Sequence, residues 1–536
     1  MKRASPRTSV RACSAWLGLL LGGCGSASEA PPPPPAAESL LAPALRRLSV
    51  AELERASSNV LGAAVNLQAS LPPDALQTDF SRNIEQSVDS LTLRQLYDAS
   101  RSASEAAALG TAIYPSCAAA AQPADATCSR ELISNLATLA FRRPASAEEL
   151  ARLSALFAVG AEGGTFRDGA TLVLRALLAS PQLIYESSLG EGMIQNGARK
   201  LSQSELASTL SFMISGGPPD SELLSVAAAG QLESGADRYA QAVRLLSGPG
   251  AIPQFQRFVE EWLGLRQLPQ LAKSSTVAPD FAVLSRAMHG ETQSFVADVM
   301  AGQGGSLKSL FAGGYSFVPE QLAPLYGIQP VPAGSRVLLR ATGRVGILQQ
   351  GSFLSVFAHE GESAPVLRGK AVLTRVLCRT IRPPQEVGID LTFPAPDPNA
   401  TTRHRFERHA SDAFCKGCHA QLDPVGFSFE NFDAVGRQRS TDAGQAVDTR
   451  GSINLNGAQL ELKDSTELSD AIAQSEELRS CVARQVVRFV SGRKDEPAEA
   501  AFVSEVATLP VIWRESLLGL FLSYVKSEGF AWRISR

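Results

Sequence analysis

Most apolar positions of this chain recur at the spacing of a helix face. After Cys128, Leu132, Ile133, Leu136, Leu139 and Ala140 fall three and four residues apart, the period of an amphipathic helix. Ala145 to Phe157 and Phe166 to Ala179 predict two more helices around a break at Ser180-Pro181. Upstream, Leu45, Leu48 and Leu53 predict a helical stretch interrupted at Leu71-Pro72-Pro73-Asp74, because proline lacks the N–H that a helix interior needs. Ser202 with Glu205 three residues on has the form of a capping box, in which the two side chains each satisfy a backbone N–H at the helix start. That helix is expected to end near Gly216-Gly217-Pro218-Pro219, with further helices through Trp262 and the region of Met288 towards Tyr326-Gly327. Cys481, Val482, Val486, Phe489 and Val490 predict another, and Pro510 to Val525 a last one. The period changes to two at Ile453, Leu455, Leu460 and Leu462, which alternate about Asn456-Gly457. Asn-Gly tolerates the positive φ that a two-residue hairpin turn demands. The expected fold class is mainly α, a multidomain helical protein with a small β-hairpin region.

Breaks in the pattern divide the chain into expected units. These are a leader over 1–24, a Pro-rich tether over 25–44, helical domains over 45–122, 123–190 and 198–330, a segment over 340–440 that mixes helix with Pro-rich stretches, and a C-terminal domain over 441–536. No fixed-period repeat is visible. A length of 536 residues suits several domains, and 44% hydrophobic with 19% charged residues is ordinary for well-cored globular protein. Lys+Arg 50 balance Asp+Glu 53, for a formal net charge of -3. Without a basic run to neutralise a phosphate backbone, no nucleic acid partner is expected.

Lys2, Arg3, Arg7 and Arg11 precede a short apolar stretch from Ala15 to Leu21, the layout of a secretory signal and too short to span a bilayer. Leu21-Gly22-Gly23-Cys24 is similar to a bacterial lipoprotein box, in which the cysteine is acylated and becomes the mature N-terminus. Cys24 is thus the expected lipid attachment point to the membrane, and Pro31 to Pro35 a stiff spacer behind it. The expected location is the cell envelope, at the outer membrane or in the periplasm; an ordinary signal peptide with Cys24 incidental is the alternative. In such an oxidising compartment cysteines pair. Cys117 and Cys128 flank a short Ala/Pro/Asp-rich loop and are expected to form a local disulfide worth ~2 to 3 kcal/mol. Cys378 and Cys481 are either a second pair or two buried thiols.

The sharpest chemistry lies in Cys415-Lys416-Gly417-Cys418-His419, a C-x-x-C-H run that is the signature of covalent c-type haem attachment. Positions i, i+3 and i+4 share a helix face, so two thiols meet the two vinyl groups while the imidazole reaches the iron. One covalent haem c on Cys415, Cys418 and His419 is the expected cofactor. The Pro424 carbonyl is expected to accept from the His419 ring, unless Asp423-Pro424 instead stops the helix. No Met or His follows His419, so a distal ligand must come from upstream. His359 is the first candidate and His409 the second, with an open sixth position as the alternative. Arg437 and Arg439 are either partners for haem propionates or solvated surface charges.

Rival readings of these residues stay open. His404, His409, Cys415 and Cys418 form a candidate zinc knuckle, and Cys415 with Cys418 a plain disulfide. Either would leave a non-enzymatic envelope, scaffold or polysaccharide-binding protein, and the zinc knuckle gives His419 no task. Other catalytic signatures fail. His359-Glu360-Gly361-Glu362 begins like a zincin helix, but Ser363 stands where the second histidine belongs. Gly369-Lys370 lacks the leading glycine of a phosphate loop, and no G-x-S-x-G elbow occurs. Electron transfer remains, or a haem-dependent oxidoreductase on the same cofactor, with a redox partner protein that the residues do not specify.

With Leu422-Asp423-Pro424-Val425-Gly426-Phe427 and Glu430-Asn431-Phe432-Asp433-Ala434-Val435-Gly436-Arg437, the haem motif resembles the planctomycete-type cytochrome c domain proteins. These are large exported proteins assembled from several domains. The resemblance extends to Arg46-Arg47-Leu48, Phe141-Arg142-Arg143-Pro144, Leu206-Ala207-Ser208, Gly346 to Gly351, Arg368-Gly369-Lys370 and Cys481 to Arg493, and so covers nearly the whole mature chain. It implies His419 as a haem ligand and His359, which falls on the family's motif histidine, as the distal one. Glu360-Gly361-Glu362 departs from the commoner family pattern of Pro, Thr or Asn and Arg, which puts the family's distal chemistry in doubt for this chain.

Overall fold

The computed structural model describes residues 36–77, 79–107, 125–381, 397, 399–409 and 413–535. The leader, Cys24, most of the tether and Cys117 lie outside them. The chain is mainly helical with small antiparallel sheets. Among the described residues no helix is long and apolar enough to cross a membrane.

β1 (Ala44–Arg47) pairs antiparallel with β2 (Tyr185–Ser188), Leu45 opposite Ser187. The expected helix from Leu45 is therefore corrected to a strand. The reason is local and distant at once: Ser49 and Glu52 form a capping box that fixes the start of α1 (Val50–Leu61), while Arg46 is drawn between Glu52 and Glu186. α2 (Ser90–Ala107), α3 (Ala126–Phe141) and α4 (Ala147–Ala161) pack against α5 (Phe166–Leu178), and α1 packs on α3 and α2. Their shared core includes Leu53, Val60, Leu132, Leu136, Val173, Leu174 and Leu177. The expected units over 45–122 and 123–190 thus contribute to one hydrophobic cluster. Cys128 is disulfide-bonded.

A second, larger core gathers α6 (Gln203–Ile214), α7 (Ala251–Trp262), α8 (Phe281–Gln303), α9 (Pro365–Ala371), α11 (Ala413–Phe427), the hairpin β3 (Gly451–Leu455) and β4 (Ala458–Leu462), α12 (Glu476–Ser491) and α13 (Leu517–Lys526), while α10 (Thr402–His409) lies against α11 outside that cluster. Ser202 and Glu205 make the capping box that starts α6. Asn456 and Gly457 take φ values of 53° and 82° at the hairpin turn. The expected helix over Pro510 to Val525 is two helices, because Ser516 accepts from the Gly519 N–H and starts α13 afresh after a short turn at Val511–Arg514. Trp532–Ile534 then pairs with Ala198–Lys200, closing a sheet across the length of the domain. Cys378 and Cys481 are disulfide-bonded, with Cα atoms 5.2 Å apart, and tie the segment beyond α9 to α12.

The two cores meet through buried charge, beside a cluster of rings that belongs to the larger core. Phe80, from the irregular stretch between α1 and α2, stacks on Phe258 with centroids 5.6 Å apart and meets Phe489 edge-on at 5.2 Å. Beside it, Arg46 Nη1 donates to Glu52 Oε2 at 2.7 Å, Arg46 also donates to Glu186, and Arg82 bridges Glu52 to the Phe489 carbonyl. All four charged side chains of this hub are buried.

A second buried acid predicts a pH effect. Glu291 on α8 accepts from Ser316 Oγ at 2.7 Å and Tyr326 Oη at 2.6 Å, and burial pushes its carboxyl up to about 7 against those bonds and the nearby Arg344. The folded state then holds a proton that the unfolded chain, titrating at ~4.3, has released. This group's contribution is complete below that value and is lost as pH rises through about 7. Glu291→Gln keeps shape and removes the titration, so its urea midpoint is expected to decline less than the parent's between pH 4.5 and 8. Parallel declines would show that Glu291 is not the titrating group.

Candidate functional site

The C-x-x-C-H residues lie on α11, which places positions 415, 418 and 419 within one turn. This helix is gripped on two sides by backbone. A Cβ on Gly369 of α9 would fall 2.1 Å from the Leu422 carbonyl oxygen, and one on Gly426 of α11 2.0 Å from that of Pro365. From the other side, a Cβ on Gly451 of β3 would lie 2.1 Å from the Pro424 carbonyl oxygen. No larger residue fits these three positions without moving the helix. Leu422, Val425 and Phe427 add a buried apolar stripe.

Arg368-Gly369-Lys370 and the stretch after α11 turn out to be the frame for this helix. The Arg368 guanidinium is fully buried and donates to the carbonyls of Leu354, Phe429, Phe432 and Asp433 at 3.1, 3.1, 2.8 and 2.6 Å. Asp433 Oδ1 accepts from the N–H groups of Val435 and Arg437, closing the turn. Arg437 is half exposed and pairs with Asp433, while Arg439 donates to Glu430 Oε2 at 2.8 Å and Asp442 Oδ1 at 3.0 Å. Of the two propionate candidates, Arg437 is a surface charge and Arg439 an internal tie.

His419 Nδ1 lies 2.9 and 3.0 Å from the two carboxylate oxygens of Asp423, four residues on. This corrects both expectations for Asp423-Pro424. The ring's acceptor is the carboxylate, not the Pro424 carbonyl, which instead accepts from Ser428 Oγ at 3.4 Å. Nor does the dipeptide stop the helix, since Pro424 sits inside α11 and the helix continues to Phe427. Asp423 is 4% exposed, and a buried carboxylate needs a donor, so Nδ1 carries a proton, which in a neutral ring leaves the lone pair on Nε2. That is the tautomer a metal-binding imidazole requires.

His419 and Asp423 line a cleft of about 540 Å³ with Lys416, Phe427, Arg403 of α10 and Arg450 beside β3, within the usual roughly 300–1,000 Å³ of ligand sites. Arg403 stacks over the Phe427 ring at 4.6 Å from its centroid and donates to the Arg450 carbonyl at 2.6 Å. Lys416, Arg403 and Arg450 thus border the cleft together with the acids Glu407 and Glu461, with Arg403 paired to Glu407 and Arg450 to Asp448. Of the residues that a c-type haem would use, His419 lines this cleft, Cys418 stands one position before it on α11, and the Cys415 side chain lies outside the described residues.

His359 sits before α9, outside the residues that line this cleft. Its N–H donates to the Glu362 carbonyl, and its own carbonyl accepts from Lys273 Nζ at 2.7 Å. Burial, helped by Lys273 and Arg405 against Glu362, pushes its imidazole down, so the ring is neutral. His404 is exposed on α10. The side chains of His409 and Cys415 lie outside the described residues. Asp423 and the three cleft cations are what sequence reading overlooked. The i, i+4 spacing of His419 and Asp423 was the available signal, whereas Arg403 and Arg450 come to the site from separate elements.

Four family models match, in chain order. PSD3, a protein of unknown function (DUF1587), covers residues 46–109, and PSD5, a protein of unknown function (DUF1595), covers 128–187. PSD4, a protein of unknown function (DUF1592), covers 201–328, and PSCyt3, a protein of unknown function (DUF1588), covers 344–442 and so contains the C-x-x-C-H run. No curated protein and no solved structure matches the chain. The four matches follow one another along residues 46–442, in keeping with the planctomycete-type family that the sequence resembles, and α11 falls within the PSCyt3 match.

Proposed function

We propose that this is an exported haem c protein of the cell envelope that transfers electrons, with a haem-dependent oxidoreductase as the enzymatic form of the same reading. One observation carries it: Cys415, Cys418 and His419 share a turn of α11, and Asp423 fixes the tautomer of His419 at the wall of a cleft. The bound haem supplies a one-electron iron couple. The chain supplies the two sulfurs, an oriented imidazole, the apolar faces of Phe427 and Pro424, and positive charge from Lys416, Arg403 and Arg450. Cys24 would carry the lipid and Pro31 to Pro35 hold the folded body off the membrane. His359 is the first distal ligand in this reading, and the electron partner is another redox protein.

Produced with its leader in a host that has cytochrome maturation machinery, the protein is expected to be coloured and heavier than the polypeptide by one haem. Cys415→Ala, which keeps only one thioether, is expected to fold with the parent's circular dichroism and lose most of the covalent haem. Recovery of both sulfurs unmodified, or bridged to each other, from a competent host would overturn the proposal. So would stoichiometric zinc with loss of stability on chelation. Carbon monoxide uptake by the reduced protein separates the oxidoreductase from an inert carrier.

A further inference from the structure

We infer that Asp423 is a positioning residue that strengthens His419 as a metal ligand and thereby sets the site to a low potential; this rests on the haem reading above. The pair is built into the helix. Residues four apart stand one above the other on an α-helix, and both carboxylate oxygens lie within 3.0 Å of Nδ1. The turn that carries them cannot slide, because Pro365 and Leu422 press on glycines on one side and Pro424 on Gly451 on the other.

The acceptor's charge is what matters. A backbone carbonyl facing Nδ1 would be a neutral dipole, whereas a buried carboxylate makes a charge-assisted bond about twice as strong. Drawing the Nδ1 proton towards Asp423 leaves more electron density on the other ring nitrogen, which raises ligand basicity. A more basic ligand stabilises the oxidised metal over the reduced one, and the buried negative charge acts in the same direction. One electron passes between the site and a one-electron redox partner, and the Nδ1 proton stays between His419 and Asp423 in both states. The site is thus built to give up its electron readily, and its partner is an acceptor of higher potential.

The test is a potentiometric titration of the haem-loaded full-length protein and of Asp423→Asn, which keeps the size of the side chain and removes its charge. At a fixed potential the variant's reduced-to-oxidised ratio is expected to rise at least tenfold, which is a midpoint shift of about 59 mV for one electron. Asp423→Glu, which restores the charge, is expected to recover most of that shift, an outcome that a purely structural role would not produce. Should the Asn variant fail to accumulate, Asp423→Ser, also neutral, is read in the same way. Haem-loaded neutral variants with the parent's midpoint would sink the inference while leaving the haem reading intact. A parent protein that carries no haem at all sinks the haem reading itself.

Discussion

Glu52→Ala is expected to lower the stability of the protein by about 3–5 kcal/mol, the cost of breaking a buried ion pair from one side. Glu52 is fully buried, accepts from Arg46 and Arg82, and closes the capping box of α1 with Ser49. Truncating it leaves Arg46 with Glu186, and Arg82 with the Phe489 carbonyl and a longer contact to Glu186, both buried with half of their negative partners gone. Burial alone would raise the Glu52 carboxyl, but Arg46, Arg82 and Arg257 overcome this and hold it well below the usual range. A depressed folded value means that its stabilisation is complete above the unfolded value of ~4.3 and drains away as pH falls towards the folded one. The parent should therefore lose stability on acidification below that point more steeply than Glu52→Ala does. Urea unfolding at pH 7 and pH 3 measures both effects, and a variant within 1 kcal/mol of the parent at pH 7 would show that the hub is not held by this carboxylate. Because the hub joins the N-terminal bundle to Phe489 of α12, the expected loss is cooperative across both cores.

The hub also marks the limit of what the residues disclosed by themselves. Periodicity located α3, α4 and α5, the capping box located α6, and Asn456-Gly457 located the hairpin, because each of those features is decided within a few residues. β1 was hidden because its strand partner lies some 140 positions away and its two arginines look like surface charge. The sheet that Trp532–Ile534 completes with Ala198–Lys200 was hidden for the same reason. At the candidate site, the C-x-x-C-H run marked the helix. Neither alternative for Asp423-Pro424, an acceptor carbonyl or a helix stop, let the helix run on through the proline with the Asp423 side chain at the ring. Packing decided that point: a proline inside a helix is costly, yet glycine-mediated contact with α9 and β3 keeps α11 running past it.

The same packing leads to the second large effect, Arg368→Met, which fills much of the arginine's volume without its donors. Four backbone carbonyls lose their partner at once, and each buried acceptor left unmade costs about 1–3 kcal/mol. Neighbouring losses are not additive, so about 3–5 kcal/mol in total is expected. Arg368→Lys is expected to recover little of it, because one ammonium with three donors cannot reproduce the planar fork that spans Leu354 and Phe429 to Asp433. Burial already pushes the Arg368 guanidinium down to about 10, with Glu430 and Asp433 opposing and Arg439 adding to the shift, which is the mark of a cation kept inside for its hydrogen bonds. The damage should be local. Three of the four clamped carbonyls follow directly on α11, so amide exchange in Ala413–Phe427 is expected to quicken in Arg368→Met while the bundle of α3 and α5, in its separate core, keeps its protection. Uniform acceleration in both regions would mean that Arg368 supports the whole fold, and unchanged exchange in α11 would mean that the clamp does not hold that helix.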